Sequence, residues 1–379
     1  MSPTEPCMAL LHPRALWTIA CVATLLLVGL VPVEASSPSE VSVKSRTSTA
    51  SIRTGTWTNL TPNLTVSSPP GVTDGSMAYD VKDGYVVLFG GYWGSSANGG
   101  LSNETWTYRA GVWTQLHPKF NPFGQVDGGM VYDGKDGYVL LFVGVGLGTG
   151  GGQTWTFTHG QWTELFPGQA PHWRSWEAMA YDAKDGYVVL YGGVGEDPCA
   201  CSDTWFHDTW TFAGGVWTKL STSRSPGSAL GGMVGSSMVY DAAKGFVVLF
   251  GGEGRLANGS FSNTTWKFSA GSWSRLHPAN SPSPREQASM VYDRAIGAVV
   301  LFGGSAGGRA DMNDTWEFSG RTWTNVSLAG GPAGVVVFST WVGNSGMPPE
   351  VAYDGHDSCV LLFGGRSTAG FTNDTWSYS

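Results

Sequence analysis

The sequence has few charged residues and no excess of basic charge. Charged side chains make up 13% of the 379 residues, whereas glycine, with 55 residues, is about twice as frequent as usual. This composition argues against a protein of long helices and suits short strands joined by tight turns. The formal net charge is −8. The basic face from which nucleic-acid recognition usually starts is therefore missing, and we expect no nucleic-acid partner.

Cysteine is also scarce, and its five positions do not form a disulfide framework. Cys7 and Cys21 lie in an N-terminal apolar segment, and Cys359 falls in an apolar run that predicts a buried strand. Cys199 and Cys201 form a Cys-Ala-Cys in a predicted loop. The fold is therefore expected to depend on packing rather than on cross-links.

The long hydrophobic run of this sequence lies at its N-terminus. Arg14 precedes an apolar stretch over residues 15–31, and Val33-Glu34-Ala35 fits a small-residue cleavage site. We interpret residues 1–35 as a signal peptide or an uncleaved N-terminal anchor, the only expected membrane contact, and residues 36–54 as a Ser/Thr-rich linker. The protein is then secreted or held at the cell surface, where its eight Asn-x-Ser/Thr sequons would permit glycosylation.

Residues 55–379 repeat one pattern six times. Each copy has Tyr-Asp, an apolar run, usually Gly-Gly, then Thr-Trp and a final Trp. The Tyr-Asp pairs begin at Tyr79, Tyr132, Tyr181, Tyr240, Tyr292 and Tyr353. The sixth copy reaches Ser379 without its final Trp, and the segment that would supply it, Gly55-Thr56-Trp57-Thr58-Asn59-Leu60, precedes the first copy. A closed ring explains this split, because its two ends meet in one unit.

The fifth copy shows how one repeat is expected to fold. Residues 288–292 and 314–318 alternate between apolar and polar, which predicts half-buried strands, whereas the continuous apolar run 298–302 predicts a strand buried on both faces. Residues 322–326 complete a set of four strands, which we name a, b, c and d. Four antiparallel strands in about fifty residues are typical of one propeller blade.

The glycine doublet after strand b, the aromatic residue in strand c and the Trp early in strand d resemble the kelch repeats of galactose-oxidase-like β-propellers. The doublets are Gly90-Gly91, Gly192-Gly193, Gly251-Gly252, Gly303-Gly304 and Gly364-Gly365. The second copy has Val143-Gly144 instead, and we expect its turn to differ. The resemblance implies an all-β, six-bladed β-propeller of four-stranded antiparallel blades, closed by an N-terminal strand that completes the last blade.

The strand order places the short a–b and c–d turns on one face and the long b–c and d–a connections on the other. Functional residues favour variable loops on a rigid scaffold, so we expect the ligand at the long connections. Five tryptophans outside the repeat fall there, and three of them belong to the third copy. The ligand-binding candidates are Trp173, Arg174, Trp176, Glu177, Trp205 and His207 in the third copy, with Trp93 and Trp341 elsewhere.

Several chemistries can be tested against these residues. A copper radical oxidase needs two His, two Tyr and a Tyr–Cys crosslink. His117 and His277 share the repeat position Leu-His-Pro, which is typical of a structural role, so only His172 and His207 remain on the long connections, and no Tyr–Cys partner is evident. Cys199, Cys201 and His207 could bind zinc, although Cys-x-Cys is not a typical zinc spacing. Asp80 and Asp83 could bind calcium, but Asp at these positions is also what a tight hairpin turn favours.

The sequence thus favours a monomeric, exported binding module without a cofactor, whose partner is a glycan or an extracellular protein. The alternative is an exported sugar-acting enzyme of glycosidase, lyase or sialic-acid type that uses Arg and Glu on the same face. That chemistry requires two carboxylates at a defined separation, and the sequence identifies no such pair.

Overall fold

The computed structural model describes residues 55–64, 68–93, 99–146, 152–196, 203–255, 260–306, 312–332, 349–367 and 370–379. The chain divides into two units, Met1–Ser51 and Ile52–Ser379, and every described residue belongs to the second. The predicted targeting segment and linker, Cys199, Cys201 and Trp341 therefore lie outside the described residues. Within the described ranges, no helix is long and apolar enough to cross a membrane.

Each of the first five repeats forms a four-stranded antiparallel sheet in the order a-b-c-d. The first sheet contains Ser76–Asp80, Tyr85–Phe89, Thr105–Arg109 and Val112–Leu116, and the second contains Gly129–Asp133, Tyr138–Phe142, Thr154–Thr158 and Gln161–Leu165. The third contains Ala178–Asp182, Tyr187–Tyr191, Thr209–Ala213 and Val216–Leu220. The fourth contains Ser237–Asp241, Phe246–Phe250, Thr265–Ser269 and Ser272–Leu276. The fifth contains Ser289–Asp293, Ala298–Phe302, Thr315–Ser319 and Thr322–Asn325, within one residue of the strands predicted from the sequence.

The sixth sheet joins two distant parts of the sequence. Its strands a, b and c are Glu350–Asp354, Cys359–Phe363 and Thr375–Tyr378, and its outer strand d is Trp57–Asn59. Trp57 pairs with Tyr378 and Asn59 pairs with Trp376 in an antiparallel register. The prediction of an all-β fold with four-stranded antiparallel blades is confirmed, and so is the pairing of the N-terminal strand with the last one.

Neighbouring sheets are joined at their inner strands. Strand a of each sheet contacts strand a of the next, and strand a of the sixth contacts strand a of the first. The sheets therefore form a ring around an axis lined by the six inner strands. Strand b lies behind this layer, and its central residues are almost fully buried, as at Val86, Val87 and Phe89. The continuous apolar runs correctly predicted this burial on both faces.

The final Trp of every repeat bonds to the preceding sheet in the same way. Its indole N–H donates to the hydroxyl of the Thr that begins strand c there, over 2.9 to 3.0 Å. The six pairs are Trp57–Thr315, Trp113–Thr375, Trp162–Thr105, Trp217–Thr154, Trp273–Thr209 and Trp323–Thr265. The same six indoles pack against the aromatic residue that ends strand b of the preceding sheet, at centroid distances from 4.9 to 5.6 Å. We call each combination a Trp–Thr staple.

The glycine doublets are required by the backbone. In the five Gly-Gly doublets both residues have positive φ, for example 76° at Gly90 and 93° at Gly91, a region that side chains disfavour. Val143 and Gly144 of the second sheet do not adopt this conformation. Val143 instead exchanges backbone hydrogen bonds with Gln153 and Gly152 at 2.9 Å. The sequence correctly predicted a different turn in this copy.

Short strand pairs extend the sheets beyond the doublets and shape the long connections. In the first repeat, Val72–Thr73 pairs with Tyr92–Trp93, which pairs with Gly100–Leu101. In the third, Val194–Glu196 pairs with Asp203–Trp205. The other short pairs involve Gln125–Val126 with Val145–Gly146, Met233–Val234 with Glu253–Gly254 and Ser260–Phe261, and Arg366–Ser367 with Gly370–Phe371. Two 3-10 turns, Thr61–Asn63 and Ser228–Leu230, also lie in connections.

Candidate functional site

One position at the entrance to strand a has the same unusual backbone in all five sheets where it is described. Two residues before strand a, φ is positive in Asp74, Asp127, Trp176, Gly235 and Gln287, at values between 50° and 62°. Only one of these residues is a glycine, so four side chains are held in a conformation that L-residues avoid. Backbone hydrogen bonds link successive members, from Asp127 N–H to Asp74 O at 2.9 Å, from Gly235 to Trp176 at 3.0 Å and from Gln287 to Gly235 at 2.7 Å.

These residues surround a cavity on the axis of the ring. All six sheets contribute to its wall at or just before the start of strand a, and its volume is about 150 Å³. We call it the axial cavity. Its charged and aromatic lining consists of Asp74, Asp127, Trp176, Glu177 and Glu350. It lies at the end of the axis where the d–a connections enter, which is the face that the sequence predicted for a ligand.

Burial shifts the pKa of every carboxyl group that lines the axial cavity. It raises the pKa of Asp127 to about 7, although hydrogen bonds from the side chains of Trp176 and Ser175 act to lower that pKa. It raises the pKa of Glu177 to about 8, although the nearby Arg174 charge acts in the opposite direction. Burial, and secondarily the neighbouring carboxylates, hold the pKa values of Asp74 and Glu350 well above their usual range. The cavity thus carries several carboxyl groups that are easily protonated near neutral pH.

Several oxygen atoms at the axial cavity are buried without a hydrogen-bond donor. They are Oε2 of Glu177, Oε1 of Gln287 and Oε1 of Glu350. Gln287 is 7% exposed and Glu350 is 9% exposed. Glu177 is more open as a whole, but its Oε2 is enclosed and its Oε1 accepts the Gly129 N–H at 3.0 Å. A buried acceptor without a partner costs about 1–3 kcal/mol, so these oxygens favour a ligand with several donors.

The third-repeat candidates separate into a part at the cavity and a part away from it. Trp176 and Glu177 line the axial cavity. Trp173 lies in the d–a connection that enters the third sheet, and Trp205 lies in the b–c connection of that sheet. Trp205 pairs with Val194, and a Cβ atom at the neighbouring Gly195 would meet the backbone oxygen of Trp173. Of the three tryptophans, only Trp176 lines the axial cavity.

Arg174, another candidate, lies inside the third repeat. Its side chain is 1% exposed, and its Nη1 donates to the Gly192 carbonyl at 2.9 Å and to Asp208 at 2.6 Å. Its guanidinium also lies 4.0 Å from the centre of the Phe206 ring. Burial alone would raise the pKa of Asp208, but the charge and hydrogen bond of Arg174 outweigh it and lower that pKa. A ligand would have to compete with these contacts to reach Arg174.

Arg285 repeats this arrangement in the fifth sheet. Its Nη1 donates to the Gly303 carbonyl at 2.8 Å and to Asp314 at 2.6 Å. Because the arginines occupy equivalent positions and bind equivalent groups, both hold the first glycine of a doublet in place. Arg174 and Arg285 also share one repeat position in the sequence, seven residues before Tyr181 and Tyr292, which favours such a structural role.

The remaining candidates lie on the surface or outside the described part. His207 is exposed in the third repeat, and Trp93 is 43% exposed at the end of a short strand in the first. Trp341 lies outside the described residues. In the described ranges, no group of three His, Cys, Asp or Glu side chains is arranged to hold a metal ion. Asp80 uses Oδ1 to accept the N–H groups of Lys82 and Asp83, as the turn interpretation predicts.

The comparisons with known proteins address the family. The model of the KLHDC2/KLHL20/DRC7 Kelch-repeats domain matches residues 153–347, just over half of the chain. The chain belongs to the kelch-repeat family. Among curated proteins, none matches it. The resemblance recognised in the sequence is thereby confirmed, and the kelch fold identifies the sheets as propeller blades.

The kelch propeller also exposes three phenylalanines that are not among the candidates from the sequence. The exposed Trp and Phe side chains in the described residues are Trp93, Phe120, Phe123 and Phe166. All four lie in b–c or d–a connections, and Phe120 is 62% exposed. A Cβ atom at Gly124 would lie 3.0 Å from the carbonyl oxygens of Leu101 and Ser102, so the segment with Phe123 runs beside the Trp93 hairpin. We call Trp93, Phe120 and Phe123 the aromatic surface.

The sequence contained a signal for both missed features. Aligning the six Tyr-Asp pairs places Asp74, Asp127, Trp176, Gly235 and Gln287 in one column, where the residue type changes although the backbone does not. Phe120, Phe123 and Phe166 likewise have no counterpart in the other repeats. Tryptophan outside the repeat is thus too narrow a criterion, because phenylalanine and aspartate at non-repeating positions also mark these two features.

Proposed function

We propose that this kelch domain is an exported binding module that recognises an extracellular protein through the aromatic surface. Membership of the kelch family indicates a protein-interaction β-propeller. The export, the class of partner and the binding surface are our additions. The exposure of Trp93, Phe120 and Phe123 in neighbouring connections is the observation that carries the proposal.

Large aromatic side chains that remain exposed on a rigid scaffold are typical of interfaces, where they are enriched relative to the rest of the surface. Two of the three members are phenylalanines, which have no polar atom to share with sugar hydroxyls. This composition favours a protein over a glycan. Lys119 lies beside Phe120: its ammonium is 5.2 Å from the centre of the Phe120 ring. Its backbone N–H donates to the side-chain oxygen of Gln161 at 3.1 Å.

The proposed export rests on the N-terminal apolar run and on Val33-Glu34-Ala35. It is tested by expressing the complete chain and sequencing the N-terminus of protein recovered from the medium. A new N-terminus after Ala35 supports a cleaved signal. Protein that stays in the membrane fraction with its first residues intact supports the anchor, and protein that remains in the cytosol would refute export.

The binding surface is tested with a panel of recombinant extracellular proteins and a glycan array, probed with the same labelled protein. Trp93, Phe120 and Phe123 are replaced together by Ala. The matched control replaces two exposed valines, Val112 and Val216, at the c–d turns. Protein binding that is lost in the aromatic variant but kept in the control supports the proposal. Binding to glycans alone, or protein binding that survives the aromatic replacements, would refute it.

A further inference from the structure

We propose that the axial cavity binds a single organic cation, an alkylammonium or guanidinium group. The group could belong to a free amine or to a Lys or Arg side chain of a partner. This site is separate from the aromatic surface and does not depend on it. The inference rests on the charge, the unpartnered acceptors and the size of the cavity.

The ionisable side chains of the lining are all acidic. Four carboxyl groups, from Asp74, Asp127, Glu177 and Glu350, line the axial cavity, and no Lys, Arg or His side chain does so within the described residues. They come from four different sheets, so the ring closure itself brings them together. The charge of Arg174 acts on Glu177, but Arg174 is already bonded to Asp208. A positively charged guest would therefore meet uncompensated acceptors.

The unpartnered oxygens point to a guest with several donors. Gln287 and Glu350 are more than nine-tenths buried, and each has an oxygen without a donor. The hydroxyl of Ser237 does not relieve them, because it donates to the Ala288 carbonyl. An ammonium offers three N–H donors and a guanidinium offers five, with no acceptor of their own. Either group would complement a wall that holds acceptors in excess.

Trp176 adds an aromatic side chain to the same wall. Its φ of 57° is rare for a bulky residue, and such backbone strain is more common at functional sites than elsewhere. Gly235 occupies the equivalent position in the next sheet with a similar φ. The backbone thus tolerates a glycine here, and Trp176 is not needed for the turn. Its face could contribute to binding a cation.

The size and geometry favour an organic cation over a metal ion. A cavity of about 150 Å³ can hold a guest the size of benzene. Calcium takes six to eight oxygen ligands at roughly 2.3–2.6 Å, which requires carboxylates to crowd around one point. The described residues offer no group of three acidic or other ligating side chains arranged in that way.

Binding should be coupled to proton release. Without a ligand, the raised pKa values favour protonated carboxyls, whereas a bound cation favours the ionised form. The ionisable groups that bear on this pH dependence are the four lining carboxyls, Arg174 beside Glu177, and the pair of Glu286 and Glu253. Burial and the Glu253 charge raise the pKa of Glu286. Since most of these groups are carboxyls, the affinity of the axial cavity for a cation should rise from pH 5.5 to pH 8.

The test is isothermal titration calorimetry on the full-length protein with n-butylammonium, n-butylguanidinium and N-acetyl-lysine methylamide, which represent a free amine, a guanidinium and a protein side chain. The neutral control ligand is n-pentanol, and calcium chloride is a further arm. Glu350→Gln and Asp127→Asn remove charge with little change in shape. Glu164→Gln, on the outer strand of the second sheet, is the matched control. Thermal unfolding shows that each variant is folded.

We expect saturable binding of at least one cation at pH 8, about tenfold weaker at pH 5.5. Binding should weaken at least about tenfold in Glu350→Gln and Asp127→Asn and stay unchanged in Glu164→Gln. Tighter binding of the lysine derivative than of n-butylammonium would support a partner's side chain, and the reverse would support a free amine. The inference is overturned if no cation binds at pH 8, if n-pentanol binds equally well, if affinity is independent of pH, or if only calcium binds.

The proposed cation site and the proposed aromatic surface can each be refuted without refuting the other. Replacing the aromatic surface should leave n-butylammonium binding intact, because none of its three residues lines the axial cavity. Loss of cation binding in that variant would contradict the assignment of the cation to the axial cavity.

Discussion

Replacing Trp57 by Ala should loosen the joint between the two ends of the ring. Trp57 forms the one Trp–Thr staple that comes from the N-terminal strand. Its indole donates to Thr315 at 2.9 Å and packs against Phe302 and Tyr378 at centroid distances of 5.3 and 5.1 Å. The substitution removes all three contacts together and leaves a gap between the fifth and sixth sheets.

The size of the effect follows from burial. A fully buried Trp replaced by Ala costs about 3–5 kcal/mol. Trp57 is half-buried, so packing should contribute about 2 kcal/mol, and the Thr315 hydroxyl that loses its donor about 1 kcal/mol more. With an unfolding entropy of roughly 2.1 cal/mol/K per residue over about 325 residues, a loss of about 3 kcal/mol lowers the Tm by about 4 °C. Trp57→Phe keeps a ring and should cost about 1 kcal/mol.

Differential scanning calorimetry measures these shifts. Thr58→Ser is the matched control, because Thr58 is exposed on the same strand and its replacement should move the Tm by less than about 1 °C. If the Tm of Trp57→Ala is the same as that of Thr58→Ser, the N-terminal strand does not hold the ring closed. If Trp57→Phe is as damaging as Trp57→Ala, the hydrogen bond rather than the packing carries the joint.

Three further predictions concern closure, the buried arginine and pH. Deletion of residues 55–60 removes strand d of the sixth sheet and should abolish the single cooperative transition; an unchanged Tm would exclude the closure. Arg174→Ala leaves the Asp208 carboxylate without its buried partner and should lower the free energy of unfolding, measured in urea, by about 3 kcal/mol. Lys219→Ala, which removes an exposed partner of Asp208, should lower it by less than about 1 kcal/mol. Equal losses in the two variants would contradict the structural role of Arg174. Glu177 binds its proton more tightly in the folded state, so between the unfolded-state pKa of Glu177 and about pH 8 the folded protein carries more protons than the unfolded one. The Tm should therefore fall as pH rises through that window. If the slope of Tm against pH is not reduced in Glu177→Gln, another group is responsible.

The repeated residues made the fold predictable from the sequence. Strand b of the fifth sheet, Ala298–Phe302, was predicted to the residue, because an unbroken apolar run between turn signals has few other interpretations. The pairing of Trp57 with Tyr378 followed from the missing Trp of the sixth copy. Such features recur, and each copy serves as a test of the others.

The candidate site was harder to predict, because side-chain direction does not follow from position in a loop. Trp173 and Trp176 are three residues apart, yet only Trp176 reaches the axial cavity, since its left-handed backbone redirects the chain. Asp74 and Asp127 are not among the candidates from the sequence, and it is the ring that brings them to the same axis as Glu350. Arg174 is a ligand-binding candidate from the sequence, but the carboxylate of Asp208, 34 positions further along the chain, holds it inside the blade.

The pairing of Trp57–Asn59 with Thr375–Tyr378 has a consequence for biosynthesis. These strands are separated by roughly 320 residues, and translation at about 5–20 residues per second takes about 15 to 65 seconds to cover that distance. Throughout this time the first strand has no partner, and strand c of the fifth sheet can acquire its indole contact only from a segment made long before. Closure of the ring is therefore expected to be the last step of folding, once the sixth repeat has been synthesised.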